Sequence, residues 1–219
     1  LASSTLHYGP IKIDVCPPGI STRGVKINDD AEYTNSRRVT VHFVALDDDS
    51  GIKAYYLSED ASSWQRIEVF DPATTDIVER WVKWYLSGGD GQKCVFLELE
   101  DAVGNKWWPD PGNALQYLYD CIVLDTSPPS NPDSYSSSHV VGEWSNDDTV
   151  EVSWSGASDS VSGVYGYSIV WDHSSSTVPD ETVDTTASSA TSPPLSDGVW
   201  YFHIRARDRA GNWASGAYH

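Results

Sequence analysis

The sequence predicts an all-β protein built as two tandem antiparallel β-sandwiches, preceded by a surplus N-terminal strand. Three observations carry this. The chain repeats itself once at an offset of about 110 residues, the size of a small sandwich domain. Short runs of alternating apolar and polar residues fill both copies. Clusters of Gly, Asn, Asp and Pro separate those runs, and no stretch keeps a helical apolar period over three turns.

The repeat comes first because it sets the organisation. Ile11-Lys12-Ile13-Asp14-Val15-Cys16-Pro17-Pro18 aligns with Ile122-Val123-Leu124-Asp125-Thr126-Ser127-Pro128-Pro129. VALDDDSGIKAYYLS aligns with WSGASDSVSGVYGYSIV, and DGQKCVFLELEDAVGNKW with DGVWYFHIRARDRAGNW. The organisation read from this is a strand over 1–14, a first sandwich over 15–126 and a second over 127–219. Val39, Val41, Phe43 and Ala45 alternate with polar neighbours, as do Val150, Val152 and Trp154, so each run is a half-buried strand. Further strands are expected at 52–58, 66–70, 81–87, 93–100 and 116–124, and in the second copy at 164–171 and 199–207. Asp49-Ser50-Gly51, Gly88-Gly89-Asp90-Gly91, Gly104-Asn105, Asp197-Gly198 and Gly211-Asn212 are the turns between them.

Composition narrows the function. With a net charge of −18 and a pI near 4.4, the chain repels a phosphate backbone, and no nucleic-acid partner is expected. No apolar run approaches the roughly 18 residues of a membrane span. The start at Leu1 is neither Met nor a signal peptide, as in a processed protein or an excised piece. No Asn-x-Ser/Thr sequon occurs. Six histidines are scattered without a metal-binding spacing, and no nucleophile elbow or phosphate loop is present, so no enzyme is expected. His203 falls on the polar face of its strand, as a surface histidine. Trp154, Trp171 and Trp200 fall on inward faces, whereas adjacent Trp107 and Trp108 cannot both point inward.

A strand followed by Asp-x-x-Gly-Asn and Trp, with an Ile-Asp-x-x-Pro-Pro closing strand, resembles the bacterial and archaeal Ig-like or fibronectin type III-like repeats of secreted and cell-surface proteins. The resemblance covers nearly the whole chain and implies an extracellular or surface location. It identifies the Ile-Asp strand as the last strand, G, of a domain. It also makes strands F and G antiparallel neighbours, which places Cys94 near Cys121 and leaves Cys16 over. The loops that meet at one end of such a sandwich would gather Asp47, Asp49 and Asp101 in the first copy, and Asp159 and Asp208 in the second. Two readings of these acids stay open: calcium ligation, and carboxylates that bind turn amides. No other cofactor is expected.

On the same resemblance the first copy owns a G strand, whereas the second ends at His219 after Gly211-Asn212-Trp213 without one. The N-terminal segment is then a G strand without a sandwich. Leu6, Tyr8, Ile11 and Ile13 are its donor residues, and Trp200, Phe202, Ile204 and Ala206 form the acceptor edge. Pro17-Pro18 ties the segment to the first sandwich, so closure within one chain would demand a crossing too long for residues 15–19. The expected function is a subunit of an extracellular filament or surface array, joined head to tail by strand donation to identical subunits. The alternative is an adhesive or glycan-binding tandem module cut from a larger secreted or surface protein.

Overall fold

The computed structural model describes residues 10–21, 24–107 and 118–219, and every regular element among them is a β-strand. The described residues contain no helix long and apolar enough to cross a membrane. The chain divides into two compact units. One comprises the residues up to Asp30, Val39–Trp84 and Cys94–Cys121; the other comprises Ala31–Arg38, Tyr85–Lys93 and Ile122–His219.

In the first repeat, one sheet is built on β4 (Arg38–Leu46), which pairs with β1 (Gly19–Ile20), β2 (Lys26–Ile27) and β7 (Val78–Tyr85). β4 shows why the sequence folds this way. Val39, Val41, Phe43 and Ala45 are buried, and the polar residues between them are not. The second sheet runs β3 (Tyr33–Thr34), β10 (Tyr119–Leu124), β8 (Gly91–Asp101), β5 (Ile52–Ser58), β6 (Gln65–Thr74), with β9 (Lys106–Trp107) on β8. The sheets face each other through Phe43 and Tyr55, whose rings meet edge-on at 5.0 Å. Gly51 is obligatory at the start of β5: its φ is +86°, and a Cβ there would lie 2.8 Å from the Thr74 carbonyl carbon.

β10 is an inner strand of the second sheet. It lies between β8, where the Leu97 N–H donates to the Leu118 carbonyl at 2.8 Å, and β3, to which it runs parallel. Ile122 and Leu124 on it are buried. Cys94 of β8 is bonded to Cys121 of β10 across 27 residues of chain. Replacing both cysteines by Ala should lower stability by about 3.5 kcal/mol, the loop-closure entropy of a ring of that size. Urea unfolding of the oxidised protein and the variant measures it.

The second repeat packs β11 (Ser134–Ser137), β12 (Glu151–Ser155) and β14 (Ser189–Thr191) against the pair β13 (Val164–Asp172) and β15 (Tyr201–Asp208). Trp154 of β12 is its centre, 5.3 Å from the Tyr167 ring and 5.7 Å from the Phe202 ring. Among the described residues no strand occupies the place that β10 holds in the first repeat. Residues 10–18 form no strand. Ile11 and Ile13, which align with buried Ile122 and Leu124, are 87% and 80% exposed.

Candidate functional site

The open position is framed by hydrogen bonds that repeat those around β10. Ile204 stands where Leu97 stands: its N–H donates to the Tyr218 carbonyl at 3.1 Å, and the Tyr218 N–H returns a bond at 3.0 Å. The Phe96–Tyr119 ring pair, at 5.1 Å, reappears as His203–His219 at 4.8 Å. Tyr218 and His219 therefore take the places of Leu118 and Tyr119. Ladder bonds alternate along a strand, so Phe202 of β15 directs its N–H and C=O groups to the same side as Ile204. No described strand lies beside them there.

This narrows the acceptor edge expected from the sequence. At Ala206 the N–H is taken by Asn131 Oδ1 at 2.8 Å and the carbonyl by the Ala214 N–H at 2.9 Å. Ile204 is paired with Tyr218, so the free stretch is Trp200 to Phe202. Of the donor residues, Ile11 and Ile13 are on display, whereas Leu6 and Tyr8 lie outside the described residues. Beneath the free edge runs a groove of about 620 Å³, lined in part by Tyr135, Val150, Val152, Trp171, Phe202 and Tyr218. Val150 and Leu195 are half-buried, while their counterparts Val39 and Leu86 are sealed.

The tryptophans divide differently from the expectation. Trp154 is core, but Trp171 and Trp200 are half-buried at the groove, and Trp200 donates from Nε1 to the Ser196 carbonyl at 2.9 Å. Trp107 is half-buried on β9, and Trp108 lies outside the described residues. His203 is a correction: it is fully buried, not a surface residue. Alternation assigned its face, but the turn at Ser174 and the ring of His219 close over it. Its Nε2 faces two acceptors, Asp172 Oδ1 at 3.1 Å and the Ser174 carbonyl at 2.9 Å, so Nε2 carries a proton. In the neutral ring Nδ1 then accepts from His219 Nδ1, 2.5 Å away.

The acidic residues form two matching triads, Asp14–Asp47–Asp101 and Asp125–Asp159–Asp208. Asp47, Asp101, Asp159 and Asp208 were legible as candidates. Asp49 is in neither triad; its N–H donates to Asp47 Oδ1 at 3.1 Å. Asp14 and Asp125 were missed, although both end the repeated Ile-x-x-Asp run, because that run read only as a strand. The triads share their hydrogen bonds in detail. Asp47 and Asp159 each accept from a glycine N–H four residues on, Gly51 and Gly163, at 2.8 Å. Asp101 and Asp208 each accept from the following Asn105 or Asn212 N–H at 2.8 Å. Asp14 and Asp125 each accept from Ser50 or Ser162 N–H at 3.1 Å. The side-chain amide of Asn105 reaches the Asp14 carbonyl at 3.3 Å, and that of Asn212 the Asp125 carbonyl at 2.9 Å. Oxygen-rich and cation-poor, such triads have the donor chemistry of a calcium site. What the geometry shows them doing is holding loop amides.

Elsewhere, exposed carboxylates brace turns in the same manner and are held below the usual carboxylate range. For Asp60 the cause is first the Ser63 amide, for Asp90 the Ser127 hydroxyl, and for Asp147 the Thr149 amide. A depressed native value contributes stability that is complete above the unfolded value of about 3.9 and is lost as pH falls through the native value. The thermal midpoint should therefore hold steady down to about pH 5 and drop below about pH 4. A calorimetric pH series shows it.

No protein-family model matches the sequence, and no curated protein matches it. Among solved structures the chain is similar to the crystal structure of chicken CNTN1 FN1-FN3 domains. The match has a TM-score of 0.45 and 15% identity, and covers 93% of this chain. The chain spans 65% of that structure's length.

Proposed function

We propose that the protein is a structural subunit of an extracellular filament or surface array, in which the segment around Ile11 and Ile13 of one copy completes the second repeat of the next. One observation carries this reading: among the described residues the chain carries an exposed segment that aligns with β10, and no strand stands at the β10 position of its second repeat. Ile11 and Ile13, 87% and 80% exposed, offer apolar area that a partner can bury. Each contributes about 1.5–3 kcal/mol when transferred into an apolar site. The edge would gain a strand, the recurring way in which sheets accept extended peptides. A surface at one end of a chain that binds a different surface at the other end is heterologous and propagates unless it closes into a ring. No catalytic step is part of this reading, and identical subunits are the partners.

A second reading has an observation of its own. Within this chain, Ile122–Asp125 closes the first repeat and leads directly into the second, so a further repeat in the same polypeptide could supply the strand covalently. The protein would then be a tandem module of a longer adhesive or glycan-binding protein. Sedimentation and electron microscopy of the purified chain separate the two. Multiples of the 24.1 kDa mass that grow with concentration support donation between copies. A monomer at every concentration overturns it and leaves the tandem module.

A further inference from the structure

We infer that the open position in the second repeat has a second wall, the segment Glu143–Ser145, which receives the donated strand in parallel and sets its register. This rests on the strand-donation reading above. In the first repeat β10 is held from both sides, and its second neighbour is β3: the Val123 N–H donates to the Glu32 carbonyl at 3.0 Å, and the Asp125 N–H to the Thr34 carbonyl at 2.9 Å. The counterpart of β3 is identified by the bonds that surround it. The Thr34 hydroxyl accepts from the Ser36 N–H at 3.2 Å, as the Ser145 hydroxyl accepts from the Asp147 N–H at 3.1 Å. The Leu86 N–H donates to the Arg37 carbonyl, and the Leu195 N–H to the Asp148 carbonyl, both at 2.8 Å. Ser145 thus stands for Thr34, Trp144 for Tyr33 and Glu143 for Glu32.

Burial separates the two segments. Thr34 is buried and Tyr33 half-buried under β10, whereas Ser145 is exposed and Trp144 is 85% exposed. A large aromatic side chain standing in solvent beside an apolar groove, in a segment whose counterpart is paired, marks an unoccupied strand position.

The equivalences dictate one register. Ile11 falls opposite Trp200, and Pro10 opposite Tyr201 as Cys121 is opposite Cys94. The Lys12 N–H meets the Glu143 carbonyl, and the Asp14 N–H the Ser145 carbonyl. Pro10 fits this arrangement because the N–H of its counterpart Cys121 donates to its neighbour Asp120, at 2.8 Å, and not to the ladder. Tyr218 and His219 already fill the first two places, so among the described residues the donated stretch begins at Pro10. The occupant is this segment of a second copy.

Two cysteine pairs test the inference in a Cys16→Ser background, because Cys16 is free and exposed. Pro10→Cys with Tyr201→Cys reports the register on β15, and Lys12→Cys with Trp144→Cys reports the second wall. All four positions are exposed, so folding is not at stake. After oxidation, non-reducing gels should show ladders of covalent multimers for both pairs, and monomer for Lys12→Cys with Tyr201→Cys, which places the cysteines out of register. A ladder for the first pair alone overturns the second wall. Multimers by sedimentation with neither ladder overturn the register while strand donation stands. Monomer in sedimentation of the parent chain overturns strand donation itself and this inference with it.

Discussion

Replacing Ile11 and Ile13 together by Asp is expected to abolish the proposed assembly and to leave the melting temperature of the subunit where it was. Both side chains already stand in solvent, so charge at these positions asks nothing of the fold that carries them. The acceptor groove answers differently. The counterparts Ile122 and Leu124 are buried, and two unpaired carboxylates taken into such a site cost several kcal/mol each. Association should weaken by at least about 10⁴-fold, which removes polymers at any practical concentration. Sedimentation velocity and a thermal melt on the same sample read the two halves of the result. Persistent polymers would show that these side chains are not the anchor. Deleting residues 1 to 14 is the poorer test, because it also removes Asp14, whose carboxylate accepts the Cys16 and Ser50 amides.

The second large effect is expected at Asp208. Its Oδ1 accepts from the Gly211 and Asn212 N–H groups at 2.6 and 2.8 Å, and Oδ2 from the Asn212 side chain at 2.8 Å. Asn212 in turn holds the carbonyls of Asp125 and Ser127. Asp208 is fully buried, Asp208→Ala strands the amides of half-buried Gly211 and Asn212, and hydrogen bonds to a charged group contribute about 1.5–3 kcal/mol apiece. A loss of about 4 kcal/mol is expected, with Asp208→Asn retaining part of it. Differential scanning calorimetry decides the size. The same instrument separates the two readings of the triads. Carboxylates occupied by amides predict a melting temperature indifferent to calcium and chelator, whereas a native-state calcium site predicts a rise with the metal.

Much of this molecule could be read before its structure. Alternation located β4 and β15, because a strand buried on one face leaves a mark with a period of two. The internal repeat located β10 and pointed to the segment around Ile11 and Ile13 as its counterpart. What alternation does not contain is the covering of a face by something distant in sequence. His203 was assigned to the correct side of its strand, and only the turn at Ser174 and the ring of His219 make that side an interior. For the same reason the expected acceptor edge included Ile204 and Ala206, whose backbone groups are already paired. Pairing of Tyr218 with Ile204 and of Ala214 with Ala206 involves backbone groups alone, which side-chain patterns do not report. Glu143–Ser145 escaped because its counterpart β3 is two residues long and carries no period.

Asp125 gives β10 a fixed end, and Asp14 would do the same for the proposed donated strand. Each closes an Ile-x-x-Asp run and, in the next step along the chain, fastens the loops of the repeat that follows. A strand slipped by two residues would keep its apolar face inward and most of its ladder, which is the usual weakness of strand exchange. Here such a slip moves the aspartate by about 6.6 Å, at about 3.3 Å per residue, far beyond the reach of the amides it must meet. The carboxylate works as the stop on a ruler: a strand drawn too far or not far enough leaves the following loops untied. Pulling along the chain would therefore load the loop anchors before the ladder could creep, so that such a polymer resists slow elongation and yields, when it yields, by whole repeats.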